Sequence, residues 1–119
     1  MSKISLARGE IVLVPFPFTD LTAKKVRPAV ILSAEPRSED VIVAFISSSP
    51  ESKSFLPTDY LCEEKRPDFA QTGLKRSSTF RMSKLVTLHR SMILRRLGMV
   101  STDIQKELDV RLKKAFVLE

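Results

Sequence analysis

The chain has 119 residues, 43% of them hydrophobic and 29% charged, and a formal net charge of +6, a composition typical of one folded domain, which we place over residues 1–119. No apolar run approaches the roughly 20 residues of a membrane-spanning helix, and the N-terminus lacks the apolar core of a signal peptide, so we expect a cytoplasmic protein without a membrane partner. The single cysteine, Cys62, and the single histidine, His89, exclude an internal disulfide and a histidine-rich metal site.

Three short aliphatic runs in the first half predict buried strands at residues 10–16, 27–33 and 41–46. An eight-residue polar loop, 19–26, joins the first two strands. Pro28 cannot donate a ladder hydrogen bond, so it fits at the start of the second strand. The side chain of Arg27 then lies at the mouth of that strand and faces whatever the loop faces.

The second half predicts a fourth, shorter strand at residues 56–62 and three weaker ones at 77–82, 84–88 and 92–97, the last ended by Gly98. Residues 102–118 predict the one convincing helix, in which Thr102 and Gln105 form a capping box. Its apolar stripe consists of Ile104, Leu108, Leu112 and Ala115. Short strands followed by a terminal helix indicate an α+β fold dominated by β structure, a small half-open barrel closed on one side by the helix.

The positive charge lies in the second half, since residues 1–60 contain seven basic and seven acidic residues. Residues 69–102 contain no acidic residue and seven basic ones: Lys75, Arg76, Arg81, Lys84, Arg90, Arg95 and Arg96. A solvated surface explains such a segment in many proteins. If the residues share a face, the same segment is typical of a phosphate-backbone footprint.

Arg27 has two interpretations. One is a salt bridge at a strand edge, with Asp20 or Glu10 as its partner, and spacing alone favours it. The other is a phosphate clamp, because a guanidinium forms bidentate hydrogen bonds to phosphoryl oxygens and stays charged at any working pH.

Ser47 also has two interpretations, as the first of three serines after a buried strand. It is either a turn residue before Pro50 or a hydroxyl presented at a strand end beside the arginine of another strand. His89 fits a surface or strand-end position better than a general base, and Cys62 fits a small buried apolar position. No residues are spaced as a metal site or a Gly-rich phosphate loop, so we expect no metal and no cofactor.

A set of segments, spread in order over nearly the whole length of the sequence, matches one known family in residue type and spacing. They are Arg8-Gly9-Glu10-Ile11, residues 15–20, residues 27–33, Ala44-Phe45-Ile46-Ser47, Gly73-Leu74-Lys75, Phe80-Arg81, residues 84–88 and the closing helix. In these segments the sequence resembles the PemK/MazF-type toxins. The resemblance implies an SH3-like barrel that works as a homodimer, as the toxin of a type II toxin-antitoxin system, with a cognate antitoxin as its protein partner.

The resemblance further implies an endoribonuclease that cleaves single-stranded mRNA at short sequences without a metal ion, leaving 2′,3′-cyclic phosphate and 5′-hydroxyl ends. By position, Arg27 matches the catalytic arginine of the family, and Ser47 lies where the family has a catalytic Thr or Ser. The loop before Arg27 departs from the family pattern because it lacks the family's Gly and Glu, which leaves the general acid and base unassigned.

The resemblance and the charge pattern together give a set of candidate RNA-binding residues. They are Thr19, Asp20, Thr22, Lys24, Lys25, Ser48, Arg81 and Lys84. Asp20 fits an ordinary turn residue equally well, and lysines in loops are usually only solvated. Two alternatives stay open: a non-catalytic toxin that binds a protein such as gyrase, and a simple RNA-binding module of the same fold.

Overall fold

In the computed structural model, residues 5–15, 25–48 and 55–118 are described. They form six strands and one α-helix: β1 (Glu10–Pro15), β2 (Val26–Ser33), β3 (Asp40–Ser47), β4 (Asp59–Cys62), β5 (Ser78–His89), β6 (Arg95–Met99) and α1 (Thr102–Ala115). Two short 3-10 turns, Ala70–Thr72 and Arg90–Met92, precede β5 and β6 respectively. The strands form one antiparallel sheet in the order β4-β5-β3-β2-β1-β6.

The sheet buries apolar side chains on both of its faces, as the continuous aliphatic runs predict. The helix-side core contains Ile11, Val30, Leu32, Ala44, Ile46, Tyr60, Phe80 and Met82 of the strands together with Ile104 and Leu108 of α1. The second core, on the opposite face, contains Val12, Val14, Ala29, Ile31, Val41, Val43, Phe45 and Ile93. The predicted fold class is confirmed, because the curled sheet and its terminal helix make a half-open barrel.

The helix α1 packs against the sheet through the predicted apolar stripe. Ile104 and Leu108 are both 0% exposed, and burying each of these side chains contributes about 1.5–3 kcal/mol. No helix within the described ranges has the length and apolar character to cross a membrane.

The two ends of α1 differ from the prediction. Ser101, not Thr102, is the N-cap, since its hydroxyl accepts the N–H of Ile104 at 3.1 Å. The predicted capping box is therefore wrong, and the Gln105 amide donates to Asp109 instead. Ser101 is the cap because its hydroxyl also donates to the Asp68 carboxylate, at 2.5 Å, which ties the helix start to the chain before β5.

The helix ends at Ala115, three residues earlier than predicted, in a Schellman motif. The N–H of Leu118 reaches the carbonyl of Lys113 at 2.8 Å, and the N–H of Val117 reaches that of Lys114 at 3.1 Å. This turn places Val117 in the left-handed region with φ 56°. A β-branched residue is strained there.

Four strand predictions need correction. The predicted strands 77–82 and 84–88 are one strand, β5, whose register against β3 shifts between Ala44 and Ile46, so that β5 bends without ending. The fourth strand begins only at Asp59, because a turn comes first, in which the Asp59 N–H donates to the carbonyl of Leu56 at 2.9 Å. The predicted strand 92–97 is wrong in its position, and β6 runs through Gly98.

Gly98 is tolerated inside β6 because the 3-10 turn before β5 packs directly against it. A Cβ at Gly98 would lie 2.2 Å from the carbonyl oxygen of Gln71, and one at Gly73 would lie 2.0 Å from the carbonyl oxygen of Leu97. Gly73 also has φ +74°, which favours glycine. The two glycines let backbone lie against backbone, and the turn covers this part of the outer edge of β6.

Candidate functional site

Arg27 and Ser47 lie at the same end of neighbouring strands. In the β2–β3 pair Ala29 is opposite Phe45, and continuing this register by two residues places Arg27 opposite Ser47 on the same face. The Cβ atoms of directly opposed residues are about 4.5–5.5 Å apart. Both residues are partly buried, so a residue with a guanidinium and a residue with a hydroxyl lie on neighbouring strands at the edge of the second core.

Arg27 and Ser47 belong to a longer row of opposed side chains across the sheet. Val14 of β1 is opposite Arg27, Thr79 of β5 is opposite Ser47, and Leu61 of β4 is opposite Thr79. We call these five residues the site row. Thr79 is 2% exposed, whereas Leu61 at the outer end is 41% exposed. The row therefore presents a cation and a hydroxyl between apolar or buried neighbours.

Thr79 is a residue that sequence reasoning missed. It follows Ser77 and Ser78 in a polar run at the start of a strand, where nothing in the sequence distinguishes one hydroxyl from the next. Only its register opposite Ser47 shows that it borders the site.

A second arginine, Arg81, lies on β5 and on the same face of that strand as Thr79. Arg81 is two residues after Thr79 and opposite Asp59 of β4, and its Nη1 contacts Oδ2 of Asp59 at 3.0 Å. The Arg81 side chain is 21% exposed and that of Asp59 only 1%. Asp59 was also missed from the sequence, because its importance depends on its partner across the sheet.

Convergent cationic and hydroxyl donors suit an oxyanion. A guanidinium offers N–H donors in a rigid planar fork that matches phosphate oxygens, and a neighbouring hydroxyl adds one more donor. In a partly buried site these charge-assisted hydrogen bonds are stronger than they are in water. The chemistry of the site row therefore fits a phosphate group.

A family model of PemK-like, MazF-like toxins of type II toxin-antitoxin systems matches residues 7–116. The chain belongs to this family. The suspected resemblance is thereby confirmed. No match was found among curated proteins.

Solved structures show the same fold at low sequence identity. An endoribonuclease in complex with its cognate antitoxin, from a mycobacterial species, superposes with a TM-score of 0.75 and 15% identity, covering 97% of this chain and 98% of that one. The Mycobacterium tuberculosis toxin MazF-mt6 gives 0.71 and 22%, covering 92% and 98%. A MazE-MazF structure from Deinococcus radiodurans gives 0.69 and 17%, covering 94% and 96%.

The structure of this toxin places some of the other candidate residues and not others. Lys25 and Ser48 are exposed and lie at the ends of β2 and β3 beside the site row, and Lys84 is exposed on the bent part of β5. The loop candidates Thr19, Asp20, Thr22 and Lys24 lie outside the described residues, and so does the suggested Arg27–Asp20 salt bridge.

The other suggested salt bridge of Arg27, with Glu10, is wrong. Val14, the residue of β1 opposite Arg27, is four residues from Glu10, about 13 Å along a strand. Glu10 instead contacts Arg96 of β6, with Nε and Oε2 3.0 Å apart.

The acid-free segment 69–102 does not present its seven basic residues on one surface. Arg96 is paired with Glu10 and Arg81 with Asp59. Arg90 donates to the carbonyls of Ser38 and Glu35, each at 2.8 Å. Arg90 and Arg96 therefore bind groups of the protein itself and Arg81 is anchored by Asp59, so the whole segment does not form one continuous phosphate footprint.

His89 and Cys62 have the structural environments that their sequence positions suggest. His89 caps the 3-10 turn before β6, because its Nδ1 accepts the N–H of Ser91 at 3.1 Å. Cys62 is buried in the helix-side core, and burial raises the pKa of its thiol. Over residues 5–15, 25–48 and 55–118, no three His, Cys, Asp or Glu side chains group as metal ligands would.

Proposed function

We propose that this toxin is an endoribonuclease that cleaves single-stranded mRNA in the cytoplasm without a metal ion. The observation that carries the proposal is that Arg27 and Ser47 lie at the same end of the antiparallel neighbours β2 and β3, at the positions that match the family's catalytic residues. Similar folds described as endoribonucleases, among them one from a mycobacterial species, support it.

The proposed reaction uses the substrate's own nucleophile. The ribose 2′-oxygen attacks the adjacent phosphorus and loses its proton, the bond from phosphorus to O5′ breaks, and O5′ takes up a proton. The products are a 2′,3′-cyclic phosphate and a 5′-hydroxyl. The enzyme must therefore hold the attacking and leaving oxygens in line and stabilise the charge that grows on the non-bridging oxygens.

Arg27 and Ser47 are suited to the second of these tasks. The guanidinium of Arg27 binds the non-bridging oxygens and neutralises their charge, and the Ser47 hydroxyl donates to the same phosphoryl group. Neither side chain is assigned the proton transfers. We also propose that the exposed residues Lys25, Ser48 and Lys84 bind the flanking RNA, and the same role stays a prediction for the loop candidates.

We further propose that the toxin acts as a homodimer and that a cognate antitoxin covers the site. The superposition on an endoribonuclease in complex with its antitoxin and on a MazE-MazF structure supports an antitoxin partner. The exposed outer part of the site row, at Leu61, offers such a partner an apolar contact.

The test is cleavage of a mixed-sequence single-stranded RNA by the purified protein in excess EDTA. We expect mapped fragments with 5′-hydroxyl ends, and a loss in kcat/KM of about 10²–10³-fold for Arg27→Ala, the size typical of removing one donor to a developing oxyanion. Ser47→Ala should lose about 10–100-fold. Arg37→Ala is the matched control, because Arg37 is 90% exposed and lies at the opposite end of the β2–β3 hairpin.

Undiminished cleavage by Arg27→Ala would refute the assignment of the site. Intact RNA with folded wild-type protein would refute the endoribonuclease. If expression of the same protein in cells nevertheless arrested growth, that result would point to a toxin that binds a protein.

A further inference from the structure

A buried carboxylate, Asp59, forms an ion pair with Arg81, the arginine that lies on the same face of the sheet as the site row. Its Oδ2 accepts a hydrogen bond from Nη1 of Arg81 at 3.0 Å and from the backbone N–H of Leu56 at 2.9 Å. Its Oδ1 and the neighbouring Thr58 Oγ1 are buried and have no hydrogen-bond partner among the residues that the structure describes.

Stability alone gives little reason for this arrangement. Removing a carboxylate and a guanidinium from water costs several kcal/mol per ion, and well-packed apolar residues are often equally stabilising in the place of a buried ion pair. An oxygen that is buried without a donor adds a further cost. The turn at residues 56–59 needs only an acceptor for the Leu56 N–H, which a neutral side chain also provides. What the negative charge of Asp59 adds is an anchor for the guanidinium of Arg81.

Arg81 lies diagonally from Ser47 on the neighbouring strand, on the side away from Arg27, and its guanidinium is held at Asp59 of β4. Ser47 is opposite Thr79, and Arg81 is two residues further along β5 on the same face. Such diagonal neighbours have Cα atoms about 7–8 Å apart, within reach of a long side chain. Ser47 on β3 therefore lies between two strands that each carry an arginine on the same face of the sheet, Arg27 on β2 and Arg81 on β5.

We propose that Asp59 is a positioning residue, which holds Arg81 against a second phosphate of the RNA strand, next to the phosphate bound by Arg27 and Ser47. The proposal rests on the proposed function, since it needs an RNA strand lying along the site row. Fixing the plane of a guanidinium in advance lowers the entropy that is lost when it binds phosphate. Asp59 thus acts through Arg81 and does not touch the substrate.

The experiment measures binding of a short RNA that spans the mapped cut, with 2′-deoxyribose at the cut so that it is not cleaved. If no cut is found, the mixed-sequence RNA serves. A series of these oligonucleotides carries one neutral methylphosphonate at each linkage in turn. Fluorescence anisotropy gives the Kd of each oligonucleotide for the wild type and for Arg81→Ala and Asp59→Asn.

We expect one linkage, next to the cut, at which the methylphosphonate weakens binding to the wild type by about tenfold. Arg81→Ala should weaken binding to the unmodified RNA by a similar factor and abolish the effect of that one linkage. It should also lower the slope of log Kd against log salt by about 0.7, the value for one phosphate on a single strand.

Asp59→Asn separates positioning from a structural role. The asparagine keeps an oxygen for the Leu56 N–H and loses the charge that anchors Arg81. We expect Asp59→Asn to bind unmodified RNA with a Kd between those of the wild type and Arg81→Ala. The methylphosphonate at that one linkage should likewise weaken its binding by an intermediate factor. Arg66→Ala is the control, because Arg66 forms another partly buried pair, with Asp68 at 2.8 Å, on residues outside the site row. It should lower stability without changing the linkage pattern.

The outcomes distinguish this proposal from the proposed function. Cleavage with an unchanged linkage pattern in Asp59→Asn and Arg81→Ala would overturn the role of Asp59 and leave the endoribonuclease intact. A linkage effect that is lost in Arg81→Ala and reduced in Asp59→Asn, seen without cleavage by the wild type, would overturn the endoribonuclease and support the role of Asp59. The absence of both binding and cleavage would overturn the two together, and a loss spread evenly over all linkages in Asp59→Asn would show that Asp59 is only structural.

Discussion

The contact between Gly98 and the 3-10 turn Ala70–Thr72 gives a sharp prediction about stability. A methyl group at position 98 would lie 2.2 Å from the carbonyl oxygen of Gln71 and 2.5 Å from the carbonyl carbon of Thr72. Both atoms are backbone, so no side chain can rotate away. Ordinary contact begins at 3.4 Å, so Gly98→Ala forces the strand and the turn apart by about 1 Å, as the overpacking of a well-packed site requires.

The magnitude follows from three terms. Overpacking costs about 1–3 kcal/mol. Moving β6 weakens its pairing with β1, where Gly98 is opposite Ile11, and one backbone hydrogen bond contributes about 1 kcal/mol. Replacing glycine by alanine also lowers the conformational entropy of the unfolded chain, which by itself stabilises the folded protein by about 0.4–1 kcal/mol. We therefore expect Gly98→Ala to lower the free energy of unfolding by about 2 kcal/mol and Tm by about 6–10 °C.

Urea unfolding followed by circular dichroism measures this difference, with thermal scans as a second estimate. Arg95→Ala is the control, since Arg95 is exposed on the same strand and such surface changes usually stay within about 0.5 kcal/mol. A Gly98→Ala protein as stable as the wild type to within that margin would refute the argument that backbone contact requires glycine here.

Three further predictions concern α1 and its ends. Val117→Gly should raise the free energy of unfolding by about 0.5–1 kcal/mol in urea titrations, because it relieves the left-handed strain, and a less stable variant would contradict this. Ser101→Ala should cost about 1–2 kcal/mol and speed hydrogen exchange at the Ile104 N–H; unchanged exchange there would count against the cap. Hydrogen bonds from Arg66 and Ser101 lower the pKa of Asp68 from 3.8 to about 2. Its stabilisation is therefore complete above about pH 4 and lost as the pH falls towards 2, and Asp68→Asn should remove about 1 kcal/mol of that pH dependence. Unfolding curves of the two proteins that stay parallel between pH 4 and 2 would contradict it.

The sequence predicts the parts of this fold that local patterns determine. The aliphatic runs of the first half set three strands to within a residue or two, and the stripe through Ile104 and Leu108 sets the buried side of α1. Arg27 and Ser47 are identifiable as strand-end residues, because the strands before and after them are clear.

Features that depend on partners distant in the sequence could not be predicted. Whether β5 is one strand or two depends on its register shift against β3, which the sequence of β5 does not record. Ser101 and Thr102 are both good caps, and the contact of Ser101 with Asp68 decides between them. Thr79 is part of the site row, and Asp59 lies beside it, only because of the residues opposite them, Ser47 and Arg81.

Because β5 pairs with both β3 and β4, its position in the chain determines when the proposed site can form during synthesis. β1, β2 and β3 pair with their neighbours in the chain and can form a meander as soon as they are synthesised. β4 pairs only with β5 within the described sheet, and Ser47 meets Thr79 only when β5 docks on β3. Because pairing between segments distant in the sequence is slow, the growing chain carries an incomplete version of the proposed RNA-binding face until residues 78–89 have been added. The order of the strands thus delays the assembly of the site until late in synthesis.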